Sequence, residues 1–151
     1  MSKLLVTCAL LTSFAFVAWA DDGLVTLPSP YSVAETMDRF EATVRTAQPP
    51  IQVFARIDYQ TLPATQGGQV RPAQLLIFGR GAVSNVLLPQ YPRVAIDLPL
   101  KILAWEDMHG KVWLTYNTGA YLAQRHGISG KDDLMKRITD FVDGMAQSAA
   151  Q

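Results

Sequence analysis

Cysteine is almost absent from this sequence, and its one copy stands where it can do little. Cys8 lies inside an uncharged apolar run over residues 4–17, and no cysteine follows it. A chain processed after Ala20 would hold neither a disulfide nor a thiolate nucleophile, although an oxidising compartment would permit the former. Thr7 precedes Cys8, where a lipoprotein signal places a small residue, so lipid attachment is not expected. Histidine is nearly as scarce. Only His109 and His126 are present, with no His-x-x-x-His or Cys-x-x-Cys spacing, so the common zinc patterns are missing. Charge is sparse and balanced: 17% of residues are charged and the formal net charge is zero, or −1 without Lys3. A nucleic-acid binder would carry a basic excess, so that class is excluded. Gly-x-Ser-x-Gly and the phosphate-loop spacing are both absent. With 49% hydrophobic residues, disorder is excluded as well.

What is present begins with an export signal. Met1-Ser2-Lys3 gives a short positive start, an apolar run of 14 residues follows, and Ala18-Trp19-Ala20 is an A-x-A cleavage pattern before Asp21-Asp22. The run is short of the roughly 20 apolar residues that span a bilayer. Residues 1–20 are therefore expected to be a cleavable signal peptide, and 21–151 a single periplasmic or secreted domain with no membrane span. Retention of the segment as an anchor is the alternative.

Residues 23–27 read as a strand ended by Pro28. Ser32-Val33-Ala34-Glu35 fits a capping box opening a helix, with Val33, Met37, Phe40, Val44 and Ala47 on one stripe and Pro49-Pro50 beyond it. Residues 51–58 read as a strand with Ile51, Val53, Ala55 and Ile57 on one face, and residues 73–78 as a strand apolar on both faces. Between them, residues 59–72 lack periodicity and Gly67-Gly68 marks a flexible turn. A short helix over 82–88 and an irregular stretch over 91–99 follow. Asp107-Met108-His109-Gly110 suits a type I turn with a left-handed glycine, which sets Trp105 opposite Trp113 in a hairpin over 100–116. Both faces of that hairpin are apolar, so each needs a cover. Thr118 caps a helix ended by Gly127. A last helix opens at Ser129, occupies about 131–148, and carries Leu134, Ile138, Phe141, Val142 and Met145 on its stripe. This order predicts an α+β fold: a two-layer sandwich with a mainly antiparallel sheet and the helices on one face. A homodimer interface is the expected cover of the second sheet face. The loop over 59–72 and the short helices are the alternative.

One ordered set of motifs points to a family. Ala55-Arg56-Ile57-Asp58, Arg71-Pro72-x-x-Leu75-Leu76-Ile77-Phe78-Gly79, Ala95-Ile96-Asp97-Leu98-Pro99-Leu100-Lys101, Glu106-Asp107-x-x-Gly110-Lys111-Val112-Trp113-Leu114-x-Tyr116-Asn117 and Leu122-Ala123-x-Arg125-His126-Gly127 occur in that order. The series, over about 23–128, resembles the bacterial and archaeal domain of unknown function 302 family. The resemblance implies a compact α+β domain with an antiparallel sheet, often dimeric, and no agreed activity. Tyr59 stands where the family often has histidine, and Arg80-Gly81 where it often has Asn-Pro.

Candidate chemistry rests on few residues. Asp58 and Asp97, if they met across the sheet, would make a carboxylate pair for acid–base work, with Tyr59 or Tyr116 as proton donor. Either would equally pair with Arg56, Arg71 or Arg125. Tyr59, Arg71 and Tyr116 are the candidate binding residues, and His126 the candidate ligand for a metal or haem. Arg80, between two glycines and before a helix, is a candidate anion contact. No cofactor is expected. The chain reads as an exported, non-enzymatic domain binding a small ligand or a partner as a homodimer. The alternatives are an enzyme using Asp58 and Asp97, and metal or haem binding at His126.

Overall fold

The structure is a computed structural model that describes residues 23–61 and 70–151. The expected signal segment, its cleavage site and the Gly67-Gly68 turn lie outside the described residues. The elements are β1 (Leu24–Ser29), α1 (Val33–Thr46), β2 (Gln52–Asp58), β3 (Ala73–Gly79), α2 (Gly81–Leu87), a 3-10 helix (Pro92–Ile96), β4 (Leu100–Glu106), β5 (Val112–Asn117), α3 (Gly119–His126) and α4 (Asp132–Ala150). The strands form one five-stranded sheet in the order β1-β5-β4-β3-β2, and every pairing is antiparallel. The expected α+β sandwich is therefore present.

Local chemistry explains most element ends. Ser32 caps α1, its hydroxyl accepting from the Glu35 N–H at 3.2 Å. Thr118 does the same for α3 through the Tyr121 N–H, and Gly127, with φ of 64°, ends that helix in the left-handed region. In the β4–β5 turn the Asp107 carboxylate accepts from the N–H groups of His109 and Lys111, and Gly110 has φ of 76°. That turn sets Trp105 directly opposite Trp113, as the spacing predicts.

Three expectations need correction. β1 continues through Pro28 to Ser29, because it is an edge strand, and a proline is tolerated where its missing N–H faces solvent. β2 does not keep one apolar face. A bulge at Phe54 puts Val53 opposite Phe78 but Ile57 opposite Leu75, on different sides of the sheet. α4 begins at Asp132 rather than near Ser129, since Gly130 has φ of 66° and interrupts the chain before it.

The core lies between one sheet face and two helices. Met37, Phe40 and Val44 of α1, Leu76, Phe78, Ile102 and Leu114 of the sheet, and Val142, Met145 and Ala146 of α4 form one buried cluster. A second cluster joins Leu87, Val94, Leu98, Leu122, Met135 and Ile138 around the short helices and the start of α4. Gly119 allows α3 and α4 to approach closely: a Cβ there would stand 2.1 Å from the Met135 carbonyl oxygen.

Candidate functional site

The two candidate carboxylates do not meet. Asp58 ends β2 opposite Gln74, whereas Asp97 comes just before β4, whose first residue Leu100 lies opposite Phe78. Four residues of β3, about 13 Å of strand, separate these levels. Each carboxylate also has local work. Asp58 accepts from the Gln60 N–H and from the Gln74 side-chain amide, both at 2.9 Å, and so shapes the turn that follows β2. Asp97 closes the 3-10 helix, and its Oδ2 lies 2.6 Å from His126 Nε2 and 3.3 Å from Arg125 Nε. A carboxylate can only accept here, so Nε2 carries the proton.

A paired aspartate and histidine can move protons, but the cleft lined by Asp97, Tyr116 and Asn117 measures only about 10 Å3. That is close to the least space a single water needs. His126 is buried, its side chain 5% exposed, and Asp97 occupies Nε2. Among the described residues no group of three His, Cys, Asp or Glu side chains is placed to hold a metal ion. His109 stands apart at the exposed hairpin tip.

The three candidate binding residues are dispersed. Tyr116 is buried in the main core, and its hydroxyl donates to Asp143. Burial pushes the Asp143 carboxyl above its ordinary value. Tyr59 sits in the turn after β2, where its N–H donates to the Ala73 carbonyl. Arg71 is exposed and lies 3.9 Å from Glu106, beside a shallow depression with Gln60 and Pro72. The remaining sequence candidate, Arg80, lies at the far end of β3, and its guanidinium stacks over the Phe141 ring at 4.9 Å.

The most extensive unassigned feature is the sheet face opposite α1 and α4. The register places Leu75 and Ile77 of β3, Lys101, Leu103 and Trp105 of β4, and Trp113 and Thr115 of β5 on this side, with Ile57 of β2 and Thr26 of β1 beside them; the Lys101 ammonium donates to the Asp97 and Pro99 carbonyls. The bulged Phe54, half exposed, stands at its border. The two helices that pack on the sheet both join the cluster on the other face. The polar atoms here are satisfied within the protomer. Trp105 Nε1 donates to Thr115 Oγ1, which also bonds Thr26 Oγ1, and Trp113 Nε1 donates to Asp107. The indole donor of Trp113 is the main reason that the Asp107 carboxyl lies below its ordinary value. The two indoles stack with centroids 6.4 Å apart, and the Lys111 ammonium lies 4.0 Å from the Trp113 ring centre. These side chains are half-buried, and no described helix covers them, so what they turn outward is ring and aliphatic surface; most of the loop over 59–72, the alternative cover, lies outside the described residues. The two-faced hairpin is legible in the sequence, but the place of Ile57 on this face is not, because only the bulge moves it there from the side that Val53 occupies.

Comparison with known proteins gives three findings. A model of the family described as "Domain of unknown function DUF302" matches residues 25–145. Curated relatives include proteins named "Fluoride-specific ion channel FluC 1" from Brucella suis biovar 1 (strain 1330) and from Brucella abortus biovar 1 (strain 9-941). Each is 41% identical over 114 residues, which is 76% of this chain but 44% and 42% of those proteins respectively. The chain thus spans less than half the length of the curated relatives it matches. Among solved structures, an uncharacterized conserved DUF302 protein from Bacillus stearothermophilus aligns with a TM-score of 0.60 and 14% identity, covering 85% of this chain and 95% of that one. That likeness concerns the fold.

Proposed function

This chain belongs to the DUF302 family, whose model covers most of it, and from its surfaces we propose that it is an exported, non-enzymatic binding protein that works as a homodimer. The observation that carries the reading is the sheet face with Leu75, Ile77, Leu103, Trp105 and Trp113, whose indole N–H groups are already bonded within the protomer. A contiguous apolar face of this kind marks an interaction surface. A second copy can sit on it. Five strands of six to seven residues make a plane of roughly 450 Å2, so two such faces bury roughly 900 Å2 together, the size of a weak, reversible interface. Two such faces can pack as aligned sheets at about 10 Å. The narrow cleft beside Asp97, which His126 does not line, argues against catalysis by that pair. The leader-like residues 1–20 support export to the periplasm or beyond.

The test is native mass spectrometry and sedimentation of the full gene product recovered from a bacterial export host. A dimer at micromolar concentration, with residues 1–20 removed, is the expected result. A monomer at that concentration overturns the dimer, and an intact leader overturns cleavage.

The names of the curated relatives favour a second reading, a domain that works beside a membrane channel. Among the described residues no helix is long and apolar enough to cross a membrane, so in this reading the chain accompanies a channel rather than forming one. Purified chain added to lipid vesicles should then carry no fluoride across them. Fluoride flux through those vesicles would reverse that assignment.

A further inference from the structure

β4 is the middle strand of the five, and Leu103 is the middle residue of β4. On the face that carries Leu103, one charged group stands beyond each end of this strand. At one end is Lys101, whose ammonium donates to the carbonyls of Asp97 at 3.2 Å and Pro99 at 3.0 Å. Those bonds draw the ammonium back to the level of Pro99, four residues before Leu103. They use two of its three N–H donors, and the third has no partner among the described residues. At the other end is Asp107, four residues after Leu103. Its Oδ1 accepts from the N–H groups of His109 and Lys111, whereas its Oδ2 accepts only from Trp113 Nε1, so Oδ2 keeps a lone pair. The other charges at that end have local partners: the Lys111 ammonium lies over the Trp113 ring, and Arg71 lies beside Glu106. The face therefore carries a cation short of an acceptor at one end and a carboxylate oxygen short of a donor at the other.

Two copies of one face meet about a two-fold axis that lies between the sheets. In aligned packing that axis runs either along β4 or across it. Along β4, the two central strands stack parallel and each charge meets its own kind, Lys101 against Lys101 and Asp107 against Asp107. Like charges set against each other in an interface are strongly unfavourable. Across β4 at Leu103, the central strands stack antiparallel. The offsets of Pro99 and Asp107 from Leu103 are equal, about 13 Å of strand each. The Lys101 ammonium of each copy then arrives at the Asp107 carboxylate of the other.

We infer that the two copies stack about an axis crossing β4 at Leu103, with β4 antiparallel to β4 and an ion pair between Lys101 and Asp107 of the second copy at both ends of the interface. This arrangement rests on the homodimer reading and adds to it the orientation of the partner and the charges that select it.

Met108, 74% exposed at the hairpin tip, can report the orientation. Met108→Cys is combined with Cys8→Ser, so that the full gene product, recovered after export, carries one thiol for a nitroxide label. With β4 antiparallel the two tips lie at opposite ends of the dimer, and pulsed dipolar spectroscopy should give a separation of roughly 30 Å or more. With β4 parallel the tips lie together, roughly 10–20 Å apart. A separation in that shorter range overturns the arrangement and leaves the dimer standing. No dipolar signal, with a monomer in sedimentation of the same sample, overturns the dimer and the arrangement with it. Lys101→Glu gives a second readout in unlabelled chain. The antiparallel stack sets the new carboxylate against Asp107, so self-association should weaken about ten-fold or more, whereas the parallel stack only exchanges one like pair for another. Thermal melting and far-ultraviolet dichroism establish that the variant is folded. In the parent, raising sodium chloride from about 20 mM to about 500 mM should weaken self-association by screening the two pairs. A constant unchanged in folded Lys101→Glu, or self-association that tightens with salt, overturns the ion pairs.

Discussion

Oδ2 of Asp97 lies 2.6 Å from Nε2 of His126, tying the end of the 3-10 helix to the last turn of α3 across 29 residues of sequence. The geometry is that of a clamp. Asp97→Ala strands a buried imidazole N–H and should cost about 1–3 kcal/mol of folding free energy. Asp97→Asn keeps an acceptor and should cost less. Urea unfolding of the two variants against the parent measures both. An unchanged unfolding free energy in Asp97→Ala would show that the pair does not serve stability and would return it to consideration for proton transfer.

Leu103 lies at the middle of the sheet face that no described helix covers, opposite Leu75 on one side and Thr115 on the other. A charge there would be desolvated in a face-to-face dimer but solvated in a monomer. Leu103→Lys should therefore weaken self-association by about 100-fold or more while leaving the far-ultraviolet dichroism unchanged. Sedimentation over a concentration series reads the dissociation constant. Equal constants for variant and parent would place the interface elsewhere.

The Asp143 carboxyl is raised by burial. The folded protein thus holds that proton to higher pH than the unfolded chain does. The corresponding stability is complete below the unfolded pKa and is lost as pH rises through the higher folded value. Asp143→Asn removes the titration and keeps the oxygen that accepts from the Tyr116 hydroxyl. Melting temperatures from pH 4 to pH 8 should therefore diverge, with the variant gaining on the parent as pH rises. Parallel curves would show that Asp143 titrates alike in both states.

Gly119 stands where α3 meets α4. A Cβ there would come 2.1 Å from the Met135 carbonyl oxygen, and the Gly119 N–H donates to Thr139 Oγ1 at 2.8 Å. Backbone cannot yield as a flexible side chain can. Gly119→Ala should cost about 3 kcal/mol or more, although alanine is the better helix former. Chemical denaturation checks this, and a neutral or stabilising result would mean that the two helices separate easily.

The features that could be read in the sequence are those with short-range causes. Ser32, Thr118 and Gly127 announce helix ends through their own backbone bonds, and Asp107 with Gly110 fixes the turn that sets Trp105 against Trp113. The features that could not be read depend on distant partners. Nothing near Phe54 in sequence signals that β3 will pair with Val53 and then with Ala55. The Asp97–His126 contact is invisible until the 3-10 helix and α3 lie side by side. Arg80 is legible as a cation before a helix, but the stretch around it does not contain Phe141, on whose ring its guanidinium lies. Asp58 and Asp97 failed as a pair for the same reason: their separation is set by strand register, which composition does not encode.

The outer strands of the sheet limit how large an assembly can grow. β1 carries Pro28 and β2 carries the bulge at Phe54, so neither border offers an unbroken ladder to an incoming strand. Copies cannot readily add side by side into a continuing ribbon. Contact through the flat apolar face uses that face up on both partners at once, and the resulting pair has nothing equivalent left to offer a third. A chain with a half-buried apolar sheet face and such borders should therefore stop at two copies and remain in solution at concentrations where an open-edged sheet would form fibres.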